Sequence, residues 1–122
     1  MGKKILIVDD SKTIRQQVNF TLSKSGFDVI EAENGLDGIE KLKQNTDISV
    51  IVTDVNMPEL GGLEMVQQIN QDPSLPHPPI LILTTEGAPE YIAQAREVGA
   101  KGWVIKPFKP DVLIDAIIRL AN

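Results

Sequence analysis

The sequence predicts one α/β domain of the doubly wound (βα)5 kind, a five-stranded parallel sheet with helices packed on both faces. Three observations predict it. Short β-branched runs alternate five times with segments of helical period. Three of those runs, Ile5-Leu-Ile-Val8, Val50-Ile-Val52 and Ile80-Leu-Ile-Leu83, are apolar at every position, as strands covered on both faces are. The chain of 122 residues has room for one core, which should bury roughly two-thirds of the unfolded surface.

The first strand is expected at Lys4–Val8. Ser11 then caps a helix whose inward stripe is Ile14, Val18 and Leu22, and Gly26 stands where a left-handed residue ends it. The second strand, Val29–Ala32, contains Glu31 and is less uniformly apolar, which suits a sheet edge. Asn34-Gly35 opens a second helix carrying Ile39 and Leu42. After a third strand at Val50–Thr53, Gly61-Gly62 opens a helix carrying Leu63, Val66 and Ile69. The stretch 72–79 contains four prolines and reads as a loop. A fourth strand, Ile80–Leu83, leads to a helix with Pro89 in its first turn, Ile92, Ala95 and Val98 inward, and Gly99 at its end. The fifth strand is Trp103–Ile105, and Pro110 starts a last helix running to Leu120.

Leu113, Ala116, Ile117 and Leu120 form the core stripe of that helix, but Ile114 and Ile118 add one flank and Val112 the other. The arc is wider than a surface helix needs. It reads either as broader burial against the fourth helix or as a partner surface. Tyr91 and Phe108 read as packing residues, and His77, among prolines, as a solvated one.

A net charge of −5 argues against nucleic acid, whose binding rests on lysines and arginines neutralising phosphates. No apolar run approaches the length that spans a bilayer, and Met1-Gly2-Lys3-Lys4 leads straight into a strand with no room for a signal segment. The absence of cysteine fits a reducing compartment. A cytoplasmic protein with no nucleic-acid or membrane partner is expected.

In an open parallel sheet, ligands bind beyond the carboxyl ends of the strands. The residues that follow the strands here are Asp9-Asp10, Asp54, Thr84 and Lys106. Singly, each has an ordinary reading, since aspartates cap helices and a threonine can bond its own loop. Jointly, they gather three carboxylates, a hydroxyl and an ammonium around one pocket. The carboxylates repel one another, and folding is penalised unless a cation offsets them. All the donors are hard oxygens, which favours Mg2+, with Mn2+ as a substitute, over zinc or copper. Phosphoryl transfer needs mainly positioning and charge neutralisation, which a metal, Lys106 and Thr84 can supply. The remaining carboxylate is then a nucleophile that forms an aspartyl phosphate.

Four motifs stand in order at the expected strand ends. They are Val8-Asp9-Asp10-Ser11, Asp54-Val-Asn-Met-Pro58 with Gly61-Gly62 after it, Leu83-Thr84-Thr85-Glu86, and Val104-Ile105-Lys106-Pro107-Phe108. Through them residues 1–122 resemble a receiver domain of the two-component response regulators, most nearly a stand-alone receiver of chemotaxis type with no output domain. The resemblance implies a flavodoxin-like sandwich of strand order 2-1-3-4-5. It implies that Asp10, Asp54 and the Asn56 carbonyl hold the metal, with Asp9 acting through water. Asp54 would accept the phosphoryl group from a histidine kinase or phosphotransfer domain, Lys106 would pair with it, and Thr84 would hydrogen-bond it. The bond before Pro107 would be cis, and Asn56 and Glu86 would tune dephosphorylation. Trp103 stands at the switch position beside Thr84, where such receivers carry an aromatic. A downstream protein is expected on the face formed by the fourth helix, fifth strand and fifth helix. Such a domain is a signalling switch that catalyses only its own phosphorylation and dephosphorylation.

Three rival readings fit less well. A haloacid-dehalogenase-type Mg2+ phosphatase needs an Asp-x-Asp pair after the first strand, but Asp9 and Asp10 are adjacent. A flavin carrier needs a Ser/Thr/Gly-rich phosphate loop where this chain has Asp9-Asp10-Ser-Lys12. A receiver fold serving only as a scaffold would be expected to lack the acidic pair or the lysine.

Overall fold

The computed structural model describes residues 2–57 and 59–121. The elements run β1 (Lys4–Val8), α1 (Lys12–Lys24), β2 (Asp28–Ala32), α2 (Gly35–Gln44), β3 (Ile48–Thr53), α3 (Gly62–Gln71), β4 (Ile80–Thr84), α4 (Pro89–Val98), β5 (Gly102–Ile105) and α5 (Pro110–Ala121). All paired strands are parallel, in the order β2-β1-β3-β4-β5. The expected α/β class, strand order and five alternations are all found.

Side chains alternate across each strand and so build two cores. Ile5 and Ile7 of β1, Val50 and Val52 of β3, and Leu81 and Leu83 of β4 face Val18 and Leu22 of α1 and Leu113 and Ile117 of α5. Leu6, Val8, Ile51, Ile80 and Ile82 point the other way, onto Leu42 of α2, Met65, Val66 and Ile69 of α3 and Ala95 of α4. This two-sided burial is the physical reason that β1, β3 and β4 read as unbroken apolar runs. β2 is an edge, as the composition around Glu31 suggests.

The helix ends use the expected residues. The Ser11 hydroxyl accepts the Ile14 N–H, and the Asn34 side chain accepts that of Asp37. Gly26 and Gly99 sit at φ 89° and 115°, the left-handed region where glycine escapes the Cβ penalty.

Differences from the sequence reading are local. β2 and β5 begin one residue earlier and β3 two, because parallel partners extend the ladder past the β-branched run. Thr84 is the last residue of β4 rather than a loop residue. In α3 the buried residues are Met65, Val66 and Ile69, with Leu63 only partly covered. Tyr91 is not packed but 41% exposed. On α5 neither reading of the wide arc holds alone. Ile114 packs on the α1/α5 core, whereas Val112 and Ile118 are exposed. Among the described residues, no helix is long and apolar enough to cross a membrane.

Candidate functional site

Strand register brings the acidic residues together. The strand order reverses between β1 and β3, where Val8 pairs with Thr53, so the next residues, Asp9 and Asp54, emerge side by side. Main-chain bonds continue past the strands: the Asp54 N–H donates to the Val8 carbonyl at 3.0 Å and the Asp9 N–H to the Ala32 carbonyl at 3.1 Å. Asp9, Asp10 and Asp54 each offer a carboxylate oxygen, and these oxygens lie within 4.8 Å of one another. Asp9 is buried, Asp54 half-buried and Asp10 exposed, which leaves one side of the cluster open to solvent.

On the other side, Thr84 pairs with Ile105, and the Lys106 N–H donates to the Thr84 carbonyl at 2.8 Å. That register aims Lys106 back across the sheet ends. Its ammonium donates to Asp9 Oδ2 at 2.7 Å and to Asp54 Oδ2 at 3.0 Å. Burial by itself pushes the ammonium toward neutrality, but the hydrogen bonds and charges of Asp9 and Asp54 outweigh it and hold its pKa above that of an ordinary lysine. A raised lysine pKa means that this stabilisation is complete below the ordinary value of 10.5 and is lost only as pH rises through the higher folded value. The Lys106 ammonium is therefore fully charged at neutral pH. The Lys106–Pro107 peptide bond is cis.

The remaining contacts fix carboxylate orientation. Asp54 Oδ1 accepts the Val55 N–H at 2.7 Å, and Asp9 Oδ1 accepts the Ser11 N–H at 2.9 Å. Gly62 opens α3 against this point: a Cβ there would collide with the Asp54 carbonyl oxygen, so the second glycine of Gly61-Gly62 is required by close approach rather than flexibility. In the loop between, Asn56 is exposed and Glu59 holds φ 67°. Pro58, which closes the second motif, lies outside the described residues.

Beyond the carboxylates, Thr84 is fully buried and its hydroxyl oxygen accepts the Glu86 N–H at 3.3 Å. The Glu86 carbonyl in turn accepts the Trp103 indole N–H at 2.8 Å. One peptide segment thus bridges the hydroxyl beside the site and the half-buried indole. Sequence reasoning paired Trp103 with Thr84 as a switch and singled out Glu86 apart from them, but missed this main-chain link, which leaves no trace in residue type. It also missed Arg15, whose guanidinium donates to the Asp9 carbonyl at 2.6 Å.

The donor set fits a hard divalent cation. Its side-chain donors are carboxylate oxygens, the exposed one from Asp10, with the compensating lysine held by Asp9 and Asp54. Together the groups are suited to moving a phosphoryl group onto a carboxylate oxygen.

Comparison with known proteins gives a consistent result. Residues 5–118 match the family model described as the response regulator receiver domain. Chemotaxis protein CheY1 of Helicobacter pylori is 43% identical over 111 residues, which cover 90% of each chain. A chemotaxis protein CheY homolog of Campylobacter jejuni is 40% identical over 111 residues, 90% of this chain and 85% of the homolog. Among solved structures, chemotaxis protein CheY4 of Vibrio cholerae superposes with a TM-score of 0.91 at 39% identity, covering 98% of this chain and 99% of that one.

Proposed function

This chain belongs to the response regulator receiver domain family, and from that premise we propose that it is a switch phosphorylated on Asp54 by a histidine kinase or phosphotransfer domain. The observation that carries the reading is the double contact of Lys106 with Asp9 and Asp54 beside the open carboxylate of Asp10. It is a signalling protein whose only chemistry is gaining and losing its own phosphoryl group.

Asp10, Asp54 and the Asn56 carbonyl would hold Mg2+, with Asp9 acting through water. Bound there, the ion supplies positive charge for the oxygens of the incoming phosphoryl group. A carboxylate oxygen of Asp54 attacks phosphorus in line with the leaving histidine nitrogen. The new O–P bond forms as the N–P bond breaks, and the electron pair leaves on the imidazole. Lys106 stabilises the charge gathering on the phosphoryl oxygens, and the Thr84 hydroxyl supplies a further hydrogen bond. As the family resemblance implies, Asn56 and Glu86 would tune water attack on the aspartyl phosphate.

The output follows from the bridge at Glu86. If the Thr84 hydroxyl turns to a phosphoryl group on Asp54, it releases the Glu86 N–H, and the segment that also holds the Trp103 indole changes its preferred position. Trp103 lines one groove with Val112 and Ile118 of α5, whose exposed apolar side chains offer a surface suited to a downstream protein. The relatives are named chemotaxis proteins, which supports an output of chemotaxis type.

Trp103 is the only tryptophan, so it reports on this step directly. Acetyl phosphate with Mg2+ is expected to change its emission intensity or wavelength, and Thr84→Ala to blunt the change while some phosphorylation persists. Emission that stays constant in fully phosphorylated protein would contradict the proposed coupling.

A further inference from the structure

We propose that Arg15 is a positioning residue for the acidic pair, with Glu31 as the clamp that makes it one. Asp9 lies in the turn between β1 and α1, where its carbonyl has left the sheet ladder. The Arg15 Nη1 supplies a hydrogen bond to that carbonyl at 2.6 Å, reaching back from the first turns of α1. The other side of the guanidinium is engaged by β2, where Nε donates to Glu31 Oε1 at 3.1 Å. Glu31 is itself fixed, because its Oε2 accepts the Asn19 side-chain N–H at 2.8 Å, and Asn19 Oδ1 accepts the Ser23 hydroxyl at 2.7 Å. The Arg15 side chain is 14% exposed, so its planar fork sits in a largely closed setting. This arrangement also explains why a glutamate stands between Ile30 and Ala32 on β2.

Two consequences follow for the carboxylates. The backbone of Asp9 is held by β2 through its N–H and by Arg15 through its carbonyl, so the turn carrying Asp9 and Asp10 keeps one geometry. Glu31 also restrains a cation that would otherwise be drawn toward the acidic cluster and compete with a metal ion there. Arg15 touches neither metal nor phosphoryl group in this scheme; it acts through the Asp9 main chain.

The inference rests on the reading of Asp9, Asp10 and Asp54 as a metal site, and its test separates the two. Mn2+ affinity of the full chain is measured from the loss of the free-ion paramagnetic resonance signal, with circular dichroism melting to confirm that each variant is folded. By charge alone, Arg15→Gln removes a positive group near an acidic site and should tighten binding. By positioning it should weaken binding about ten-fold, the lower end of what loss of a partner behind a metal ligand costs. Lys12→Gln, which removes a charge two residues after Asp10, reports the charge effect alone and should not weaken binding. Arg15→Lys should recover little, because an ammonium cannot span the Asp9 carbonyl and Glu31 as a planar fork does. Glu31→Gln should also weaken binding, and in the Arg15→Gln background it should add nothing. If Arg15→Gln does not fold, Arg15→Lys and Glu31→Gln carry the test. Unchanged or tighter binding in the folded Arg15 variants, with Asp10→Ala weakened, would overturn the positioning role alone. Failure of the unaltered protein to bind Mn2+ would overturn the metal-site reading and the inference with it.

Discussion

Lys106→Met is expected to lower stability by about 3 kcal/mol in the presence of a chelator, because it leaves two nearly buried carboxylates facing each other without a cation. The side chains of Asp9 and Asp54 are only 4% and 13% exposed, and the lysine that separates them contacts both within 3.0 Å. Methionine keeps most of the apolar stem, so the loss reports charge and hydrogen bonding rather than an emptied volume. For a chain of 122 residues the melting temperature should fall by roughly 10 °C. Millimolar Mg2+ should restore much of it by supplying the missing positive charge. The same variant should take phosphoryl groups about 100-fold more slowly, as when a donor aimed at developing oxyanion charge is removed. Thermal melts with and without Mg2+, together with the labelling rate, check both parts. A variant that melts with the unaltered protein in chelator would show that Lys106 is not what offsets the cluster.

Asp10→Ala should behave in the opposite sense. Asp10 is the exposed member of the cluster, so its removal relieves repulsion at little packing cost. In chelator the variant is therefore expected to melt at or above the unaltered protein. With Mg2+ the order should reverse. An ion that binds only the folded state stabilises by about 2.7 kcal/mol at a hundred times its dissociation constant, roughly 8 °C here. Most of that increment should vanish without Asp10. A melting temperature indifferent to millimolar Mg2+ in the unaltered chain would count against the metal site itself.

Much of this arrangement was legible in the sequence because it depends on residue type and order. Unbroken apolar strands such as Ile80 to Leu83 record burial on two faces, and Asp9, Asp54 and Lys106 follow strands whose ends a parallel sheet must gather. Gly26 and Gly99 mark helix ends through a backbone region other residues avoid. What stayed hidden depends on where backbone groups and long side chains point. Val55 and Glu86 act through main-chain atoms that every residue but proline carries. Arg15 and Glu31 lie 16 residues apart and meet only because β2 packs beside α1. Glu31 looked merely like a polar interruption in a strand. Tyr91 fitted a packed helix by type, yet its place on α4 leaves it in solvent.

The most direct test of phosphorylation at Asp54 is peptide mapping after exposure to acetyl phosphate and Mg2+. One acid-stable, hydroxylamine-sensitive phosphoryl group is expected, on the peptide containing Asp54 and absent from Asp54→Asn. A label that persists in Asp54→Asn, or one that maps to another residue of the unaltered protein, would contradict the assignment of Asp54 as the phosphoacceptor.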